Sequence, residues 1–432
     1  MTINSSRAAG VVLPVAIGFG IGVLLTITTS YGYSIYKQHH HDDDNGTGHG
    51  KRQKITLADN TVASSSDGRD IRIGVEGLIG RTPIMKIKSL SQATGCEILA
   101  KVEMMNPGGS AKDRIALAIV EQAEAEGLLR PNSNDIVFEG TSGSTGISLA
   151  MICRAKGYRA HIFLPDDTST EKIELLEKLG AVVEKVPPAS IVDKNQYTNA
   201  ARARAEQIMS HHEDNDDDDD DKNKQAIFAD QFENEANWQA HFDHTGPEIY
   251  AQLGDSLHAF VTGAGTGGTI SGVSRFLKPL LPNLKVVLAD PPGSGLFNKV
   301  KYGVMFDLRE REGTRRRHQV DTLIEGIGIN RLTNNFDVGR SLIDDAVRVT
   351  DKQSLAMARY LVERDGLFVG SSTAVNCVAA ATVAKQLGPG HTILTVACDS
   401  GARHLSKFWK AVGPIGGELS HESLDQILNQ RD

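Results

Sequence analysis

Three short stretches of this chain place reactive or anion-binding residue types beside glycines that let a backbone approach a ligand closely. In Ser110-Ala111-Lys112-Asp113-Arg114 a lysine stands where an apolar helical pattern, Ile115 and Ile119, is about to begin. A cation in a first helical turn faces the positive end of the helix dipole, which disfavours its charged form. A lowered lysine pKa is what Schiff-base chemistry requires. Ser110 and Asp113 have the spacing of a reciprocal helix cap, which explains those two residues structurally but leaves Lys112 unexplained. The second stretch, Thr141-Ser142-Gly143-Ser144-Thr145-Gly146, lies between a strand-like run and a helical one, so its amides and hydroxyls point at an anion beyond the helix N-terminus. The third, Gly263-Ala264-Gly265-Thr266-Gly267-Gly268-Thr269, has the same placement and suits a phosphate. It lacks the sixth-position glycine of a dinucleotide fingerprint and the Gly-Lys-Ser/Thr of a Walker loop.

Such loops must be held by strands and helices, and the apolar patterning supplies them. Short apolar runs at 97–102, 135–138, 160–164, 258–262, 285–289 and 392–397 predict buried strands. Apolar residues at three- and four-residue spacing predict helices over 115–126, 147–156, 170–179, 268–281, 354–365 and 374–387, with a further helix at 197–209 and a strand-like run at 226–232. Repeated strand–helix alternation implies an α/β protein with mainly parallel sheet covered on both faces. Ligands in such sheets bind outside the carboxyl ends of the strands, where all three loops lie. A lysine at a helix start, a carboxylate site and a phosphate cradle together suggest pyridoxal 5'-phosphate chemistry on an amino acid.

The stretch Asn106–Ala116 with Lys112, the loop Thr141–Gly146, Gln231-Phe232-Glu233-Asn234, Gly265–Thr269, Glu325-Gly326-Ile327-Gly328, Gly370-Ser371-Ser372 and Asp399-Ser400-Gly401 follow one another in the order found in the cysteine synthase and cystathionine beta-synthase family. From about residue 78 to about 409 the chain resembles that family, in its fungal membrane-anchored, mitochondrial form. The resemblance implies a fold-type-II pyridoxal-phosphate enzyme, two open twisted sheets with helices on both faces of one cleft, usually a homodimer. It implies that Lys112 forms the Schiff base and moves the α proton. Gly265, Thr266, Gly267 and Thr269 would hold the cofactor phosphate, and Ser400 the pyridine nitrogen. Thr141, Ser142, Gly143 and Gln231 would hold the substrate carboxylate, with Gly326 on the loop facing the substrate. The expected reaction is β-replacement of O-acetylserine by sulfide to give cysteine. Three features depart from the family: Ser144 replaces an asparagine at the ring hydroxyl oxygen, Glu235 replaces a proline, and the connection at 301–319 with Arg315-Arg316-Arg317 is long. Dehydratases of the same fold fit less well at the lysine and phosphate loops. A cystathionine beta-synthase lacks room for its regulatory module, and a non-catalytic membrane-tethered scaffold is the rival from another class.

Composition agrees with an enzyme body of ample size. The chain has 432 residues, 40% apolar and 23% charged, with a formal charge of -8. The run 213–221 carries eight acidic residues, so the remainder is balanced, which argues against a nucleic-acid partner. Four widely spaced cysteines give neither a disulfide framework nor a metal knuckle and suit a reducing compartment. Residues 8–36 are uncharged, and about 20 apolar residues span a bilayer, so this segment predicts a single transmembrane helix. Polar residues 37–77 read as a tether to a catalytic region over 78–432, in which 213–221 is a solvated loop. The lysines and arginine after the span, with the reduced cysteines, place the catalytic part on the cytosolic side, here of the mitochondrial outer membrane.

Overall fold

The computed structural model describes residues 71–189, 191–210, 224–307, 322–416 and 422–430. The segment 8–36, most of the tether, the acidic run 213–221 and Arg315–Arg317 lie outside the described residues. Among the described residues no helix is long and apolar enough to cross a membrane. Among the described residues before 78, Glu76–Leu78 forms a 3-10 turn in which Gly77 is buried.

Ten strands form two sheets. They are β1 (Ile84–Lys86), β2 (Glu97–Val102), β3 (Ile136–Gly140), β4 (Arg159–Pro165), β5 (Val182–Val186), β6 (Ala226–Phe228), β7 (Ala259–Gly263), β8 (Lys285–Asp290), β9 (Asp345–Arg348) and β10 (Thr392–Ala397). A six-stranded sheet has the order β1-β2-β10-β7-β8-β9, and a four-stranded one the order β5-β4-β3-β6. Every pairing is parallel except β1 against β2. The chain leaves the large sheet after β2, builds the small one, and returns at β7.

Strand alternation explains the layers. In the large sheet Ile98, Ala100, Val261 and Ile393 face one side and pack with Met357, Val375 and Ala379, while Leu99, Phe260, Leu288 and Leu394 face the other and pack with Ile270, Val273 and Leu277. The small sheet repeats this: Val137, Ile162 and Leu164 meet Ile115, Ile119 and Ile147 on one face, and Ile136, Phe138 and Phe163 meet Tyr197, Ala201 and Ala205 on the other. Burying each large apolar side chain contributes about 1.5–3 kcal/mol, which makes both two-sided cores the main source of stability.

The principal helices are α1 (Lys112–Ala125), α2 (Ser144–Lys156), α3 (Thr170–Lys178), α4 (Tyr197–Ser210), α5 (Gly268–Leu280), α6 (Asp351–Asp365) and α7 (Ser371–Leu387). Four of them begin earlier than periodicity predicts, at Lys112, Ser144, Asp351 and Ser371. The run expected at 226–232 ends at Phe228, because Asp230 takes a left-handed backbone, φ +50°, and turns the chain. Strands β1, β5 and β9 are not predicted by patterning; all three are sheet edges, short and partly exposed.

The reciprocal cap expected from Ser110 and Asp113 does not form. Ala111 caps α1, the Ser110 hydroxyl accepts weakly from the Lys112 amide at 3.3 Å, and Asp113 turns elsewhere. Its carboxylate accepts from the Gly108 amide at 2.6 Å and the Ser148 hydroxyl at 2.5 Å, tying the lysine loop to α2. Burial pushes the Asp113 carboxyl up to about 6.

Candidate active site

The loops that follow β2, β3, β4, β7 and β10 converge on one cleft of about 470 Å³, within the usual range for small-molecule sites. Lys112, Thr141, Ser142, Gly143, Ser144, Gln231, Gly265, Thr266, Gly267, Thr269 and Gly326 all line it. Burial lowers the Lys112 pKa, partly offset by Cys398 and Asp399. The direction expected from the helix terminus is thus found, with desolvation as its largest cause.

The glycine-rich loop is held from behind. Asn237 donates to the Thr266 hydroxyl at 2.9 Å, and Thr333 donates to the Thr266 carbonyl at 2.7 Å. The Thr269 hydroxyl lies 3.1 Å from Nε2 of His241, whose Nδ1 lies 3.0 Å from the Thr245 hydroxyl. Burial drives His241 down to about 3, so its ring is neutral and offers one donor and one acceptor. Gly265 has to be a glycine, because a Cβ there would stand 2.3 Å from the Gly326 carbonyl oxygen. The Gly328 amide donates to the Ala264 carbonyl at 2.9 Å, locking the two loops together.

Gln231 is positioned at both ends of its amide. Its nitrogen donates to Glu139 at 3.0 Å, and its oxygen accepts from Thr145 at 2.5 Å. Glu139 is fully buried, and desolvation pushes its carboxyl up to about 8. Opposite this pair, Ser144 accepts from Arg403 at 3.3 Å, and Arg403 also bonds the Gly108 carbonyl.

Ser400 is the one residue expected at the site that does not line the cleft. Its backbone bridges Val369, and its hydroxyl accepts from the Ala402 amide at 3.3 Å, capping the 3-10 turn Gly401–Arg403. The hydroxyl facing the cleft belongs to Ser372, in the first turn of α7. Of three consecutive hydroxyls there, Ser371 accepts from the Glu325 amide at 3.0 Å and Thr373 from the Cys398 amide at 2.9 Å. The outer two serve the backbone; the middle one faces the cleft beside the Cys398 thiol, with which it shares a hydrogen bond. Both candidate motifs, Gly370-Ser371-Ser372 and Asp399-Ser400-Gly401, are visible in the sequence, but only the pairing of Val369 with Ser400 turns one serine in and the other away. Asp399, Cys398, Lys172, Glu325 and His404 line the same cleft without having been given a role from sequence, although Glu325 and Asp399 stand in two of the motifs. Burial pushes the Cys398 thiol up to about 11, so it is not a thiolate nucleophile.

These residues fit pyridoxal phosphate. The first amides of α5 have no side-chain cap, since its N-cap is Gly267, and they are free to meet an anion. At Gly143 and Gly326 a Cβ would meet nothing within 4 Å, so both open onto cleft space, and Lys112 shares that space.

Comparison with known proteins agrees with the geometry. Residues 75–399 match the pyridoxal-phosphate dependent enzyme family. "Cysteine synthase 2" of Emericella nidulans is 60% identical over 361 residues, covering 83% of this chain and 84% of that protein. The "Putative mitochondrial cysteine synthase" of Saccharomyces cerevisiae is 57% identical over 358 residues, covering 82% of this chain and 88% of that one. Among solved structures, the O-acetylserine dependent cystathionine beta-synthase of Helicobacter pylori superposes with a TM-score of 0.63 at 30% identity, covering 78% of this chain and 98% of its own. With three quarters of its length matched and a relative 60% identical over 83% of it, this chain belongs to the family of pyridoxal-phosphate dependent enzymes, in its cysteine synthase and cystathionine beta-synthase branch.

Proposed function

We infer that the chain, a pyridoxal-phosphate-dependent cysteine synthase, joins an activated serine to sulfide with Lys112 as the group that carries both the cofactor and the α proton. The observation that carries this reading is the convergence of Lys112, the loop Gly265–Thr269, the loop Thr141–Ser144 and Ser372 on one cleft. Bound in that cleft, pyridoxal phosphate supplies an electron sink for the α-carbon of an amino acid. The α5 amides, with Thr266 and Thr269, bind the phosphate. Thr141, Ser142, Gly143 and Gln231 take the substrate carboxylate, and Gly326 leaves room beside it. Ser372, in place of Ser400, meets the pyridine nitrogen. A hydroxyl there is neutral and does not force the ring to hold a proton, which suits expulsion of a β leaving group over reactions needing a long-lived carbanion. Ser144, steadied by Arg403, donates toward the ring hydroxyl oxygen.

Lys112 must accept the α proton, and an amine whose pKa burial has lowered is suited to act as that base near neutral pH. O-acetylserine supplies the leaving group and sulfide the nucleophile. The direct test supplies both to the purified full-length protein and follows cysteine release. Wild type forms cysteine, and Lys112→Ala does not. Formation of cysteine by Lys112→Ala at the wild-type rate would overturn the assignment.

We place the protein on a mitochondrial membrane, the catalytic region on the cytosolic side and paired with a second copy. The uncharged run 8–36 supports the anchor, and the name of the Saccharomyces relative supports the organelle. Alkaline carbonate extraction of isolated mitochondria should leave the full chain in the pellet.

A further inference from the structure

Four ionisable side chains cross the mouth of the cleft without a part in the assignment above. Lys172, on α3 beside the small sheet, donates to Glu325 Oε2 at 2.7 Å. The same oxygen lies 3.1 Å from Nδ1 of His404, within reach of an N–H on that nitrogen. Nε2 of His404 lies 2.9 Å from Asp399 Oδ2. His404 is only 4% exposed. Asp399 also lies in the cleft near Lys112, and its Oδ1 is buried with no hydrogen-bond partner. The chain Lys172–Glu325–His404–Asp399 therefore runs from the small-sheet side, through the loop that bears Gly326, to the floor beside the catalytic lysine. A second bond, from Ser406 to Glu171 at 2.6 Å, crosses at the same place.

We propose that His404 is a positioning residue: as an imidazolium it holds Glu325 and Asp399 at once, setting the substrate-facing loop against α3 and fixing the Asp399 carboxylate beside Lys112. The inference rests on the functional reading of the cleft. Its physical basis is the donor count. Ionised carboxylates only accept, a neutral imidazole has one N–H, and an imidazolium has two. Only the charged ring can give a proton to each carboxylate. Among the described residues the charged groups facing the ring are Asp399 and Glu325, which favour the cation, and Lys172, which opposes it. Burial disfavours the cation, but the two carboxylates outweigh burial and Lys172 together and raise His404 from its ordinary 6.5 to about 9. Above that pH the ring keeps one donor, and either the Gly326 loop or Asp399 loses its hold.

The test compares wild type with His404→Gln, whose amide can reach one carboxylate but carries no charge. Kinetics with O-acetylserine and sulfide run from neutral pH to beyond the His404 value, and ratios between the two proteins cancel titration of the substrate's own amine. The expected result is a KM for O-acetylserine roughly tenfold higher in the variant near neutral pH, with kcat changed less than about threefold, and a gap that closes as pH rises through about 9. A gap that does not vary with pH, or a fall in kcat at constant KM, would overturn the proposal. If His404→Gln does not fold, Glu325→Gln serves: it removes the negative charge facing Nδ1, so KM should rise and His404 should titrate lower by ring nitrogen NMR. An unmoved His404 titration would also overturn it. Should even wild type make no cysteine, the functional reading fails by itself, and the NMR titration still decides whether His404 is held as a cation.

Discussion

Two buried charge clusters flank the cleft, and they are built differently. Beneath α1, Arg114 is fully paired: Nε and Nη2 donate to Glu103 at 2.7 and 2.9 Å, and Nη1 and Nη2 to Glu248 at 2.7 and 2.8 Å. Lys101 closes the set, 2.7 Å from Glu248 and 2.6 Å from the Thr82 carbonyl. At the cleft mouth, by contrast, Asp399 Oδ1 is buried without a hydrogen bond, and the Glu325 side chain is 26% exposed. The first cluster satisfies each charge and fixes the helix that starts with Lys112. The second leaves acceptor capacity open where a ligand arrives. Full satisfaction marks a structural network, and incomplete satisfaction in a lined cleft marks a working one.

The strongest way to break this contrast is Arg114→Met. It leaves Glu103 and Glu248 buried without their cation, at a cost of about 3–5 kcal/mol, read as a large loss in denaturant midpoint. Lys172→Met at the cleft mouth should cost less than about 2 kcal/mol, because Glu325 keeps contact with water and with His404. Equal losses for the two variants would erase the distinction.

Acid and alkaline stability sharpen it. Arg114 holds Glu248 down to about 2, and burial opposes it; Glu325 is held down to about 2 by His404 and Lys172 against the same burial. These depressed carboxylates stabilise the fold above their ordinary 4.5, and that contribution is lost as pH falls toward 2. His404 has a raised value, so its contribution is complete below 6.5 and is lost as pH rises through about 9. Both clusters therefore feel acid, but only the cleft cluster feels this alkaline loss. Thermal midpoints of wild type minus His404→Gln should fall across that alkaline window, a difference in which the raised carboxyls of Asp113, Glu139 and Asp290 cancel.

The smallest test concerns two serines. Ser372→Ala should lower turnover roughly tenfold or more, equal to about 1.4 kcal/mol on the barrier, whereas Ser400→Ala, which removes only a cap on a 3-10 turn, should change it less than about threefold. Steady-state rates on cofactor-loaded protein decide between them, and the reverse ranking would return the ring-facing role to Ser400.

Those serines also mark where the sequence is readable and where it is not. The central strands are legible because burial on both faces writes a continuous apolar run, as in β10 at Thr392–Ala397. The edge strands β5 and β9 mix charged residues with apolar ones and lack that signature. Helices α1, α2 and α7 begin at Lys112, Ser144 and Ser371, one turn before their apolar residues, because that first turn faces a cleft and not a core. The glycine-rich loops could be read in advance, since phosphate cradles need a fixed local spacing. The group Lys172, Glu325, His404 and Asp399 could not, because its members are brought together only when α3 packs over loops from the other sheet. The cap expected of Asp113 was lost to a stronger competitor, the Gly108 amide and Ser148 hydroxyl.

The central claim is that Lys112, and no other lysine of the cleft, carries the cofactor. Lys172 and Lys407 line the same space and make the claim open to refutation. Borohydride reduction of the full-length protein loaded with pyridoxal phosphate, followed by peptide mass mapping, tests it most directly. The pyridoxyl mass should appear on the peptide that contains Lys112. Its appearance on Lys172 or Lys407, or its absence from every lysine, would contradict the account.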